Sequence, residues 1–300
     1  FAQLGKVNPW FIPGLLISFV PLIWLRALRW RLLLPNRDQL SVRRLMDATM
    51  IGFFASFVLP LRAGEIIRPL VVARWQPVTF SAALASIMVE RLADSVCLLS
   101  LLLACLVRVP DMPPVILAGA KILLGLSGAL IAMILLSYVL PGRVEAFFHK
   151  LVTVIAGRFA PTLSTRINGM ITEYFAGLRI IASFRQLIEV LVLSYAMWIL
   201  VAVWYQALLW AFGEYPSFWV GMMLNVMIAL AVAAPSAPGF IGVFQAGCIL
   251  ALSTVYGYSR EFAMAYSVVG HLLQTVFNIG AGFLVLQARG LTLSQVRKSE

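Results

Sequence analysis

Apolar runs of roughly 20 residues or more recur along this chain, and two of the apolar regions are cut in the middle by proline and glycine. Short segments rich in arginine part the runs from one another. Soluble domains carry about 25% charged residues, whereas Asp, Glu, Lys and Arg make up 12% of this chain and hydrophobic residues 62%. The mean hydropathy is +0.95. With that little charge, most of the surface must face something other than water, and an all-α polytopic membrane protein of one domain, residues 1–300, is expected. The chain opens at Phe1 without a methionine and without a signal-peptide pattern. That pattern reads as trimming, with room for a spanning helix upstream.

Arginine placement assigns the sides. The first span, residues 9–34, ends among Arg26, Arg29 and Arg31, followed by Arg37, Arg43 and Arg44, so the positive-inside rule puts that end in the cytoplasm. Two shorter apolar pieces follow within residues 45–74, parted by Pro60-Leu-Arg-Ala-Gly-Glu65. Neither piece crosses alone, and Arg74 returns the chain to the cytoplasm, which predicts a re-entrant hairpin. Spans at residues 80–107 and 114–140 come next. Residues 141–185 carry six basic side chains against Glu145 and Glu173, and so belong to the cytoplasmic face. Their apolar spacing suits an interfacial amphipathic helix or one packed on the bundle. After a span at residues 186–212, residues 218–256 are interrupted at Pro235-Ser-Ala-Pro-Gly239. This is a second hairpin, entering from outside, or a pair of Pro-kinked spans. The last span, residues 262–287, puts the C-terminus on the cytoplasmic side of the cell inner membrane. Broken helices at matching places in two halves of opposite orientation point to an inverted-repeat transporter.

Three constellations carry candidate chemistry. In the first break, Pro60 and Gly64 free backbone amides, and a helix restarting near Gly64 aims its positive dipole end into the site. Arg62 and Arg68 add guanidinium forks suited to a phosphate, and Glu65 holds an arginine in place or carries a proton. In the span that follows, Glu90 and Asp94 share a helix face and Arg91 is placed to pair with Asp94. Charged groups inside a membrane rarely face lipid, so this trio is either a coupling element or a network bracing the hairpin arginines. The second break offers Ser236, Gly239, Gly242 and Gln245 to a headgroup, with Asn225, His271, Gln274 and Asn278 as further polar candidates.

The net charge of +11 is what basic cytoplasmic loops supply, and no basic run sits in a soluble domain where nucleic acid would need one. Cys97, Cys105 and Cys248 lie in apolar runs without metal or disulfide spacing. No phosphate-binding loop, dinucleotide fingerprint, nucleophile elbow or metalloprotease histidine pair occurs. No cofactor, no metal and no catalytic role are therefore expected.

The segment Leu25-Arg-Ala-Leu-Arg-Trp-Arg-Leu-Leu-Leu34 resembles one found in the lysylphosphatidylglycerol synthase transmembrane (flippase-like) family. So do Pro-x-Arg-x-Gly-Glu-x-x-Arg-Pro from Pro60 to Pro69, Glu90-Arg91-Leu92-x-Asp94, and Pro-x-x-Pro-Gly-x-x-Gly from Pro235 to Gly242, in this order. The resemblance implies a domain that moves a phospholipid or lipid-linked headgroup between leaflets, as a stand-alone member without the soluble transferase domain. Relatives often place Gly-Glu near the second break where this chain has Gln245, so a mechanism needing a carboxylate there does not carry over. The expected partners are membrane lipids with an anionic headgroup. Rival readings are a non-transporting partner that presents lipid to a separate transferase, and a proton-coupled small-solute carrier.

Overall fold

The computed structural model describes residues 3–60, 62–109, 114–140, 142–156, 161–178, 183–233 and 237–290, and all regular structure among them is helical. The first expected span is two helices, α1 (Phe11–Ile17) and α2 (Phe19–Leu32). Pro21 has no amide to offer the Ile17 carbonyl, and the Ser18 hydroxyl donates back to the Leu15 carbonyl at 2.7 Å. Both features weaken the helix at this turn. The first interrupted region forms α3 (Val42–Val58) and α4 (Gly64–Trp75). These lie antiparallel: at their open end Gln76 donates to the Ser41 carbonyl at 3.0 Å and Arg44 to the Trp75 carbonyl at 2.7 Å. Glycine permits the close approach. A Cβ on Gly64 would stand 1.8 Å from the Gly52 carbonyl oxygen.

Helix α5 (Phe80–Arg108) begins at Thr79, whose hydroxyl caps the Ala82 amide, and α6 (Pro114–Val139) follows. The basic segment forms α7 (Arg143–Ala156) and α8 (Pro161–Leu178). Phe175 of α8 is buried with Ala85 and Val89 of α5 and meets the Phe148 ring at 5.6 Å, while Phe147 and Val154 of α7 face outward.

Helix α9 (Phe184–Ala211) runs antiparallel to α1 and α2, with Gln186 donating to the Leu32 carbonyl and the Asn8 amide to the Ala211 carbonyl, each at 2.7 Å. The second interrupted region forms α10 (Phe218–Ala233) and α11 (Val243–Ile249), which continues as a π-helical turn over Leu250–Val255. This pair is also antiparallel. The Tyr256 hydroxyl donates to the Trp219 carbonyl at 3.2 Å, and Gly247 sits against the Ile228 backbone.

The closing helix α12 (Arg260–Ala288) serves as a ruler for both pairs. Near its end, Arg289 pairs with Asp47 at the open end of α3/α4. Its start follows directly on Tyr256, at the open end of α10/α11. Between them His271 meets both tips: it bonds the Gly239 carbonyl at 2.6 Å, and its ring lies 6.3 Å from that of Phe57. The two pairs therefore point at each other from opposite ends of α12 and touch near its middle. At about 1.5 Å per residue, a helix of 29 residues exceeds the roughly 30 Å of a bilayer core.

Four stretches are long and apolar enough to cross a membrane among the described residues: Phe11–Leu32, Phe184–Ala211, Pro238–Val255 and Arg260–Ala288. The chain is a multi-pass membrane protein. Pro238–Val255 is continuous only across Gly239 and Gly242, whose φ angles of +69° and +88° break the helix.

The glycine contact generates a test. Gly64→Ala forces α3 and α4 apart and is expected to lower stability by about 1–3 kcal/mol, the usual cost of overpacking. Gly280→Ala, where a Cβ meets nothing within 4 Å, leaves it unchanged or slightly raised. Thermal unfolding in detergent reads both, and equal behaviour of the two variants would contradict the packing.

Candidate functional site

Helix α2 turns Arg26, Arg29 and Trp30 inward, positions that share a face at helical spacing. They meet the trio on α5. Arg29 is fully buried and pairs with Glu90 at 2.8 Å and Asp94 at 2.5 Å, and it also donates to the Ser194 hydroxyl of α9 at 2.9 Å. Arg68 of α4 pairs with Glu90 at 3.1 Å and stacks 3.7 Å over the Trp30 ring. Trp30 is held in turn by the Ser86 hydroxyl, which accepts its indole N–H at 2.8 Å. Arg91 reaches Glu90 at 3.3 Å and Asp94 at 3.2 Å, and Trp198 of α9 donates to Asp94 at 3.0 Å. Arg26 lies 3.6 Å from Glu90 and 5.1 Å from the Phe53 ring centre. Four helices are thus tied through two carboxylates.

Beside this knot lies a cavity of about 370 Å³. Its charged lining is Arg26, Arg62, Arg68 and Arg91 with Glu65 and Asp94. Asn225, His271, Gln274 and Asn278 line its neutral side, together with Phe240 and Phe244 from the second tip. Arg62 stands at the first tip with φ +52° and its guanidinium 5.5 Å from the Phe240 ring centre. It makes no ion pair within 4 Å among the described residues. Phe240 itself has φ +61° and meets Phe57 edge-on at 5.6 Å. Left-handed backbone at a non-glycine residue is costly and is held only where its surroundings over-determine it.

The structure places the sequence candidates unequally. Arg62, Gly64, Glu65, Arg68, Arg91 and Asp94 come together on the cavity wall. Glu90 sits behind it, fully buried. Three of the amides expected to be free at α4 have acceptors: Glu65 donates to the Arg62 carbonyl, and Ile66 and Ile67 both donate to the Ala63 carbonyl. Gln245 and Gly242 stand off the wall. Gln245 accepts the Gly242 amide at 2.8 Å, and its own amide nitrogen meets His271 Nδ1 at 3.0 Å. Gly239 is buried beneath His271. Ser236 lies outside the described residues.

Sequence reasoning missed Arg26 and Arg29, which it counted as interfacial positive-inside charges. The structure buries Arg29 fully and places Arg26, 13% exposed, on the cavity wall. The available signal was their i, i+3 spacing beside Trp30 while still inside the apolar run.

A family model described as "Lysylphosphatidylglycerol synthase TM region" matches residues 1–282. No curated protein and no solved structure shows significant similarity to the chain.

Glu90→Gln leaves the buried Arg68 without its carboxylate partner and Arg29 with Asp94 alone, and is expected to cost about 3–5 kcal/mol, as breaking a buried pair does. Arg91→Gln removes a side chain that is 37% exposed and costs far less. Detergent melting temperatures decide the ranking, and comparable losses would refute it.

Proposed function

The chain belongs to the lysylphosphatidylglycerol synthase TM region family, and on that premise we propose that it is a lipid translocase. An anionic headgroup binds the cavity arginines, and the acyl chains stay in apolar surroundings as the lipid moves between leaflets. The observation that carries this reading is the junction of two spaces. An apolar groove of about 330 Å³, bounded by Gly14, Leu15, Val203 and Ala207 of α1 and α9, shares Ser18, Leu200 and Trp204 with the arginine-bearing cavity. A chamber with a charged wall and otherwise largely apolar lining, joined to an apolar slot, suits an amphiphile. A water-soluble solute has no use for the slot.

In this reading the two helix pairs re-enter the membrane from opposite faces and present the headgroup at mid-depth, equally far from both leaflets. Arg44, Arg74 and Arg289 lie at the open end of α3/α4, which by the positive-inside rule supports a cytoplasmic position for that end and for the C-terminus at the inner membrane. At mid-membrane the phosphate has lost its water, and oriented donors gain strength from the low dielectric. The buried knot of Glu90, Asp94 and Arg29 holds the walls, while Arg62, Arg68 and Arg26 meet the ligand. No covalent step enters the reading.

Purified protein in liposomes, with fluorescent lipids followed by an external quencher, tests it. The wild type is expected to expose inner-leaflet anionic lipid. Arg62→Ala, at a partly buried tip residue without an ion pair among the described residues, is expected to slow that movement by on the order of tenfold or more, the effect of losing one charge-assisted hydrogen bond. Its melting temperature should not change. Undiminished movement in Arg62→Ala would sink the site. Lipid binding without any movement would favour a protein that presents lipid to a separate transferase.

A further inference from the structure

Among the described residues, the charges on the cavity wall do not balance. Arg26, Arg62, Arg68 and Arg91 contribute four positive charges and Glu65 and Asp94 two negative ones, a surplus of two. Widening the boundary to the buried pair behind the wall adds Arg29 and Glu90, which face each other at 2.8 Å and cancel. Five positive less three negative again leaves two. His271 does not alter the sum: a carbonyl only accepts, so Nε2 carries the proton toward Gly239, and Nδ1 accepts from the Gln245 amide, whose orientation is fixed by the Gly242 N–H. The ring is the neutral tautomer.

A second observation points the same way. Arg26 Nε, Arg68 Nε and Nη2 and Arg91 Nε are buried and have no hydrogen-bond partner among the described residues. Arg68, 6% exposed, itself lines the cavity and holds two of these unpartnered donors. Buried cations left uncompensated in an apolar bundle are strongly unfavourable. A ligand carrying one negative charge neutralises half of the surplus. A ligand carrying two neutralises all of it.

We propose that the cavity selects a phosphomonoester dianion, with its three terminal oxygens facing the arginines, over the singly charged phosphodiester of common membrane phospholipids. A phosphomonoester carries about −1.5 to −2 charges near neutral pH and three strong acceptor oxygens, whereas a diester carries one charge and two free oxygens. This deepens the translocase reading and rests on it for the lipid identity of the ligand, while the dianion selection rests on the charge balance and the unpartnered donors. The same chemistry is shared by a lipid phosphomonoester and by free phosphate.

The experiment compares two lipids of identical chains, phosphatidic acid and its phosphate methyl ester, in nanodiscs at about pH 8, with inorganic phosphate as competitor. Phosphatidic acid is expected to bind more tightly by on the order of tenfold, the ratio that one added charge-assisted contact supplies. In Arg62→Gln, which lowers the surplus to one, the preference should fall toward unity while the melting temperature holds. Weak competition by inorganic phosphate assigns the site to the lipid. Competition as strong as that of phosphatidic acid keeps the dianion and assigns its source to free phosphate. Equal binding of the two lipids by the wild type, or a preference untouched by Arg62→Gln, overturns the proposal. Retained dianion binding with no leaflet movement of any lipid would instead overturn the translocase reading alone.

Discussion

Glu90 is the point on which the membrane core turns. Its carboxylate is fully buried and lies within ion-pair distance of Arg26 and Arg29 from α2, Arg68 from α4 and Arg91 on its own helix. One anion cannot neutralise four cations, and Asp94 one turn further on takes up part of the remainder while bringing in Trp198 of α9. The desolvation of these groups is large, so the arrangement survives only when α2, α4, α5 and α9 hold their relative positions. The knot therefore specifies how the first helix pair sits against the bundle. It also accounts for why arginines can exist here at all.

The two tips differ from this in kind. They meet through rings and one stacked guanidinium: Phe57 on Phe240, Arg62 over Phe240, and His271 bonded to Gly239. A stacked cation contributes about 0.5–2 kcal/mol, much less than the charge network at the base of the same hairpin. Left-handed backbone at Arg62, Gly239 and Phe240 is concentrated at this one contact. A strongly held frame and a lightly held, strained meeting point sit within one hairpin, and the cavity opens where the two adjoin.

Much of this was legible in the chain. The length of the apolar runs required a membrane, and the prolines and glycines at residues 60–64 and 235–242 located both breaks, because a missing amide or a left-handed φ interrupts a helix wherever it is placed. Glu90, Arg91 and Asp94 announced themselves as inward-facing by the cost of showing such groups to lipid. Arg26 and Arg29 did not. Near the end of a span, an arginine that snorkels to the headgroups and one that turns into the bundle have the same local sequence, and the choice depends on a carboxylate more than sixty residues away. Gln245 was equally ambiguous: an amide beside a helix break serves a ligand or caps the helix, and in the structure it accepts the Gly242 amide and meets His271.

Sequence alone determined what each segment must be, since burial of backbone in hydrocarbon and the conformational limits of proline and glycine act locally. It determined a helical membrane chain with two broken elements and a set of charges that need partners. The tertiary structure decided which charges are spent on each other and which remain. Ion pairing falls off within a few ångströms and depends on which helix faces meet, so only the packing of α2, α4 and α5 around Glu90 could leave two positive charges over on the wall of a cavity.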